Sequence, residues 1–141
     1  MKRIVLFACV LCCVGCSTPQ HTWPNNTRDV VWTAMVAAAN APDYDAVDPR
    51  KRWIVMENLV DDDASRGNIK VRRSLARSLL LPLQNEQVDQ REWFFSIQLL
   101  QDNPPTATFD SVRTAIVPAR LLDEANRFFN TVDDLLQSSQ D

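Results

Sequence analysis

The sequence contains very little glycine, cysteine or histidine beyond its first sixteen residues. Gly67 is the only glycine after Cys16, so neither a P-loop nor a glycine-rich dinucleotide fingerprint can be built. All four cysteines lie within residues 1–16, which leaves the remaining chain without a disulfide pair or a thiolate set for zinc. Because His21 is the only histidine, Ser-His-Asp and Cys-His nucleophilic systems have no support.

Residues 1–16 predict an export signal. Lys2 and Arg3 precede an apolar run from Ile4 to Val14. A run of about eleven residues is too short for a bilayer-spanning helix, which needs roughly 20, so we expect the segment to be removed. Cys9, Cys12 and Cys13 would be removed with it.

The end of this segment, Val14-Gly15-Cys16, resembles the lipobox of bacterial lipoproteins. The resemblance implies a diacylglycerol thioether on Cys16, cleavage after Gly15 and acylation of the new amino terminus. Cys13 departs from the family pattern, which prefers leucine there. Ser17, in place of aspartate, resembles the signal that sorts such proteins to the outer membrane. Two or more acyl chains anchor a protein stably, so we expect a resident of the membrane surface; an ordinary secretory signal cleaved elsewhere is the alternative.

The expected domain organisation is a signal peptide over residues 1–15, a lipidated cysteine and tether over 16–26, and one α+β domain over 27–141. About 125 residues suffice for one self-sufficient core. Losing Lys2 and Arg3 takes the basic residues from 15 to 13 against 18 acidic ones, and the formal net charge from -3 to -5. Acidic charge disfavours general binding of nucleic acid. We interpret Trp23, within the tether, as packing against the domain edge; the alternative is an aromatic at the lipid interface.

Hydrophobic periodicity predicts a helix at each end of this domain and strands between them. The first helix is expected over Arg28–Asn40, and the last over Pro118–Gln137 with a broad apolar stripe. Alternation and strand-forming residues predict strands over 44–47, 53–60, 93–99 and 106–115 and one that begins near Ile69. We expect the first two to form a hairpin, with loops over 61–63 and 84–90, and leave 79–83 unassigned. The fold class is therefore α+β, a two-layer sandwich of a four- or five-stranded, mainly antiparallel sheet with both helices on one face.

Three segments carry a resemblance to a known family: Val31-Trp32-Thr33-Ala34, Arg91-Glu92-Trp93-Phe94-Phe95 and Ala125-Asn126-Arg127-Phe128-Phe129. Together with the lipobox they resemble small envelope lipoproteins with a helix-grip domain. The element order is similar to that of the repeated domain in BamC-type lipoproteins, which assist outer-membrane β-barrel assembly. Those proteins carry two such domains, whereas this chain has room for one. The resemblance implies a binding or scaffolding role without catalytic residues.

Two groups of side chains are candidate binding residues. Arg66, Lys70, Arg72, Arg73 and Arg77 concentrate positive charge and predict a patch for anionic lipid headgroups or an acidic partner. The preferred alternative is an edge strand whose charges prevent aggregation. Trp93, Phe95 and Phe128 are candidates for the lining of an apolar cavity between the last helix and the sheet. The preferred alternative there is that the rings fill the core.

We expect no metal and no cofactor besides the covalent lipid. Asp61-Asp62-Asp63 resembles the start of a calcium loop, but Arg66 and Arg72 occupy positions that require glycine and glutamate. The expected function is a lipid-anchored, non-enzymatic envelope protein that binds another envelope protein or serves an assembly, with neither nucleic acid nor nucleotide as partner. The alternative is a carrier of a small apolar ligand or lipid. A carboxylate hydrolase is a third class, for which no acidic pair is singled out.

Overall fold

Two helices cover one face of a five-stranded antiparallel sheet, which confirms the predicted α+β class. The computed structural model describes residues 18–48, 52–79, 87–112 and 118–139. The strand order across the sheet is β1-β5-β4-β3-β2. The elements in chain order are β1 (Gln20–Thr22), α1 (Arg28–Asn40), β2 (Ile54–Asp63), β3 (Asn68–Leu79), β4 (Gln87–Asp102), β5 (Pro105–Ser111) and α2 (Pro118–Ser138).

The helices form where the apolar spacing predicts them. α1 has the predicted bounds, and its buried residues recur at helical spacing from Val31 to Ala39. α2 begins at Pro118 as predicted and ends one residue beyond Gln137. Its buried face contains Ala125, Phe128, Phe129, Val132 and Leu136. These side chains meet Phe95, Ile97 and Phe109 of β4 and β5 to form one core between the helices and the sheet.

The strands are longer and differently paired than predicted. The hairpin joins β2 to β3, and its turn contains Gly67 at a φ of 63°, a left-handed conformation that suits glycine. A Cβ there would lie 3.2 Å from both the Cβ and the carbonyl oxygen of Leu99. β4 pairs with β3 from Gln87 onward, and β5 ends at Ser111.

Several boundaries in the sheet were therefore predicted wrongly. Residues 61–63 and 87–90 belong to strands, because cross-strand pairing with β3 satisfies their backbone despite their polar side chains. Residues 44–47 form no strand and pair with no neighbouring strand. Tyr44 is buried instead through its hydroxyl contacts with Arg73 and Glu124. Residues 80–83 and 113–115 lie outside the described residues.

Part of the expected tether is instead a strand of the domain. Gln20–Thr22 pairs with Thr106, Ala107 and Thr108 of β5, which gives backbone partners to that part of the β5 edge. Trp23 is buried, as the preferred interpretation of packing on the domain requires. Its indole Nε1 donates to Asp133 Oδ1 of α2 at 2.7 Å, and His21 Nε2 lies 3.3 Å from the same oxygen. The expectation that His21 lies in a tether was wrong.

A buried ion pair joins β3 to α2. Arg73 Nη1 lies 3.3 Å from Glu124 Oε1, and both side chains are almost completely buried. The same Nη1 donates to the Tyr44 hydroxyl at 2.8 Å, and that hydroxyl hydrogen-bonds to Glu124. Arg73 also donates to Asn58 Oδ1 and to the Ala39 carbonyl. The guanidinium therefore connects α1, the loop after it, β2, β3 and α2.

Burial determines how the acidic members of this cluster titrate. Desolvation raises the pKa of Glu124, although the Tyr44 hydrogen bond and the charges of Arg127 and Arg73 act in the opposite direction. Desolvation also raises the pKa of Tyr44, and the neighbouring Glu124 charge adds to that effect. The tyrosine hydroxyl therefore remains a neutral partner for the pair.

We expect Glu124→Ala to destabilise the fold by about 3–5 kcal/mol, because it leaves the Arg73 charge buried without a counter-ion. Urea unfolding of purified protein measures the change. Glu92→Ala is the matched control, since it removes the carboxylate of the exposed Arg72–Glu92 pair. Equal effects of the two substitutions would contradict a special role for the buried pair.

The raised pKa of Glu124 also predicts a pH dependence. Above the ordinary pKa of 4.5, the folded state holds a proton that the unfolded state has lost, so stability falls as pH rises toward the raised pKa. Glu124→Gln removes this titration. The excess stability of the unsubstituted protein over Glu124→Gln is therefore expected to be larger at about pH 4 than at about pH 7. Urea unfolding at both pH values checks the sign, and a pH-independent difference would contradict it.

Candidate interaction surfaces

The predicted basic patch is divided between the two faces of the sheet. Successive strand residues point to opposite faces, so Lys70 and Arg72 lie on the face away from the helices, here called the outer face, whereas Arg73 points into the core. Arg66 lies in the turn between β2 and β3, and Arg77 shares the core-side register of Arg73. The prediction that all five side chains form one surface patch was wrong because Arg73 is buried.

Carboxylates accompany the surface arginines. Arg72 Nε lies 2.7 Å from Glu92 Oε1, Arg66 Nε lies 3.5 Å from Asp63 Oδ2, and Arg77 Nη2 lies 3.0 Å from Asp89 Oδ2. Lys70 is the cross-strand neighbour of Asp61. The positive charge is thus largely balanced locally, which does not favour an acidic partner.

Hydrogen bonds and positive charge lower the pKa values of two of these carboxylates. The Ser65 hydroxyl, together with the Arg66 amide and charge, lowers the pKa of Asp63. Desolvation opposes ionisation of Asp89, but hydrogen bonds and charges from Arg77 and Arg91 lower its pKa overall. Both carboxylates therefore stay ionised as partners of their arginines.

The aromatic residues predicted to line a cavity pack against other rings. Phe95 stacks on Phe109 with ring centroids 4.8 Å apart, and Phe109 lies 5.9 Å from Phe128. Phe95 and Phe128 are buried, and Trp93 is partly buried against the same core. These rings occupy the space between α2 and the sheet, as the preferred alternative requires. Cys16, the predicted lipid attachment site, lies outside the described residues.

An open apolar groove of about 410 Å³ lies between α1 and α2, and it was not predicted. Val30 and Leu135 keep 45% and 37% of their surface exposed beside it. Small side chains of α1, such as Ala34 and Ala37, leave the space between the helices unfilled. We call this surface the helix groove; it is lined by Asp29, Val30, Thr33, Ala34, Ala37, Leu135, Leu136 and Ser139.

A second, smaller groove of about 260 Å³ lies along the outer face of the sheet. Leu59, Arg72 and Phe94 are successive cross-strand neighbours in β2, β3 and β4. Val112 continues this row, since its amide donates to the Phe94 carbonyl at 3.1 Å. We call this surface the sheet groove; Lys70 also lines it.

Across residues 18–48, 52–79, 87–112 and 118–139, no group of three or more histidine, cysteine, aspartate or glutamate side chains is arranged to hold a metal ion. Neither helix in those ranges is long and apolar enough to cross a membrane. The two grooves and the local ion pairs are arrangements that suit noncovalent contact.

Comparisons with known proteins returned nothing for this chain: no protein-family model, curated protein or solved structure matches it. Functional inference therefore depends on the residues and their geometry.

Proposed function

We propose that this chain is a lipid-anchored, non-enzymatic protein of the bacterial cell envelope that acts as a protein-interaction or assembly module. The observation that carries the proposal is the helix groove, an open apolar surface on the side of the domain that the helices form. Contiguous apolar surface left exposed on a folded domain is typical of interaction sites.

The chemistry of the helix groove suits an apolar segment of another protein. Its lining combines aliphatic side chains with the small residues Ala34 and Ala37, so a row of apolar side chains can enter between α1 and α2. An amphipathic helix that inserts such a row is a common form of peptide recognition. Asp29 in the lining supplies a carboxylate that would favour a basic residue beside that apolar row.

The anchor in this proposal is Cys16. The lipobox-like Val14-Gly15-Cys16 supports its acylation, and Ser17 supports sorting to the outer membrane, with the domain facing the periplasm. The partners are then the membrane, through the lipid, and another envelope protein. The resemblance in element order to BamC-type domains agrees with such a role.

The alternative of a small-ligand or lipid carrier finds less support. A ligand between α2 and the sheet would have to displace Phe95, Phe109 or Phe128 from their mutual contacts. Displacing buried aromatic rings costs several kcal/mol of lost packing. The packed aromatic core therefore favours the interaction module.

Cys16→Ala is expected to abolish lipid attachment, because the thiol is the acceptor of the diacylglycerol. Metabolic labelling of bacteria that express the chain with a palmitate analogue measures attachment. Cys9→Ala, which lies upstream of the lipobox-like segment, is the matched control and should retain the label. Retention of label in Cys16→Ala would contradict the anchor.

A photo-crosslinking amino acid at Val30 is expected to capture one discrete partner from intact cells, whereas the same amino acid at Leu122 is not. Both positions are exposed on helices, but Leu122 is not in the lining of the helix groove. Leu135→Asp should remove the Val30 crosslink, because a charge in the helix groove opposes burial of apolar side chains. Crosslinks that are equal at both positions, or unaffected by Leu135→Asp, would contradict binding in the helix groove.

A further inference from the structure

The position of Pro19 in the sheet restricts how a domain anchored at Cys16 can face the bilayer. The Phe109 amide donates to the Pro19 carbonyl at 2.9 Å, which attaches the chain to β5 three residues after Cys16. Three residues span at most about 11 Å between the Cα atoms of Cys16 and Pro19. Once lipid holds Cys16 at the membrane, Pro19 must remain close to the headgroups.

Pro19 lies well inside the length of the sheet. Phe109 pairs with Ile97, and β4 continues ten residues from Ile97 back to Gln87. At about 3.4 Å per residue, the sheet extends about 34 Å beyond Pro19 in that direction. In the other direction β4 continues five residues to Asp102, or about 17 Å. Both distances exceed the reach of the tether, so the domain cannot stand on either end of its strands.

The domain must therefore contact the bilayer through a face of the sheet, through the helices or through the β1 edge. β1 belongs to the sheet itself, so the outer face begins directly beside Pro19. The exposed side of the helices is farther away, because an α-helix with its side chains is about 10–12 Å across. The tether thus favours contact through the outer face or the adjoining β1 edge over contact through the helices.

The outer face also has side chains suited to that contact. Leu59 and Val112 keep 50% and 60% of their surface exposed at the two ends of the row that crosses Arg72 and Phe94. Val112, at the β5 end of this row, lies three residues along the chain from Phe109, the residue that pairs with Pro19, which is a distance of about 10 Å. Lys70 and Arg72 can extend their charged ends toward headgroups while their methylene stems cover apolar surface.

We propose that the outer face of the sheet, centred on Leu59, Phe94 and Val112, is a membrane-contact surface that rests on the bilayer holding the Cys16 lipid. The inference rests on the proposed lipid anchor. It assigns the outer face to lipid and leaves the helix groove directed away from the membrane, accessible to a protein partner. Arg72 is paired with Glu92, and Lys70 lies across from Asp61, so the contact relies on the apolar side chains and does not require anionic lipid.

The test uses the full chain, processed and lipidated in bacteria, purified in detergent and reconstituted into phosphatidylcholine vesicles. Leu59→Cys and Val112→Cys each receive an environment-sensitive fluorophore, and Leu122→Cys on α2, 51% exposed, is the matched control. Acylation blocks Cys16, and the described residues contain no cysteine, so the label reports one position. All three sites are exposed, which keeps the substitutions compatible with folding.

Quenchers attached to lipid headgroups are expected to reduce fluorescence at Leu59 and Val112 at least about twofold more than at Leu122, since interfacial apolar surfaces enter the headgroup region. The same pattern should persist when anionic lipid is added. Equal quenching at all three sites, or stronger quenching at Leu122, would overturn the orientation. If Leu59 and Val112 were shielded as strongly in detergent as in vesicles, the outer face would be covered by protein, such as a second copy of the chain. That result would also overturn the proposed orientation.

Mass spectrometry of the purified chain separates this inference from the proposal on which it rests. Absence of lipid on Cys16 overturns both the anchor and the orientation. Lipid on Cys16 with no preferential quenching overturns the orientation alone, and leaves the anchored interaction module standing.

Discussion

The buried Arg73–Glu124 pair is the interaction on which the arrangement of the whole domain depends. Removing two charges from water is costly, and their mutual attraction offsets the cost only when further hydrogen bonds satisfy the remaining polar atoms. Here Tyr44, Asn58 and the Ala39 carbonyl supply those bonds to the arginine. These three partners come from different parts of the chain. The buried charges therefore keep all their partners only in one position of the helices relative to the β2 side of the sheet.

The opposite side of the domain is fixed by a second polar contact, which is partly buried. Asp133 accepts a hydrogen bond from the Trp23 indole and lies beside His21, whose ring stacks on Phe129. The two clusters lie near opposite ends of α2, one turn from the aromatic core on either side. α2 is therefore held in rotation as well as in position, which exposes Leu135 to the helix groove and places Phe128 in the core.

Periodicity was sufficient to predict the elements whose side chains alternate or repeat cleanly. α1, α2 and the centre of β4 each bury one face, so their apolar residues recur at helical or strand spacing. β1 was missed because three polar residues at a sheet edge contribute backbone pairing and little apolar burial. Tyr44 was assigned to a strand because its strand-forming character does not reveal that its hydroxyl reaches Glu124 across 80 residues of sequence.

The candidate sites were less predictable than the fold. Five basic residues close in sequence suggested one patch, but strand alternation places Arg73 and Arg72 on opposite faces. Residues that are close along β3 therefore share a face only when they are an even number of positions apart. The helix groove depends on an unfilled space between α1 and α2. The sequence of either helix alone does not show that this space remains empty. Leu135 follows the helical spacing of Phe128 and Val132, yet it remains partly exposed beside the groove.

The place of Glu124 and Asp133 near the end of the chain has a consequence for the order of folding. Until α2 is present, Arg73 has no carboxylate, Trp23 has no acceptor for its indole, and the core face of the sheet is uncovered. Contacts separated by 51 and 110 residues close only at that point. A chain still being synthesised would consequently lack its complete core until α2 is present, and the domain would acquire its shape in one late step.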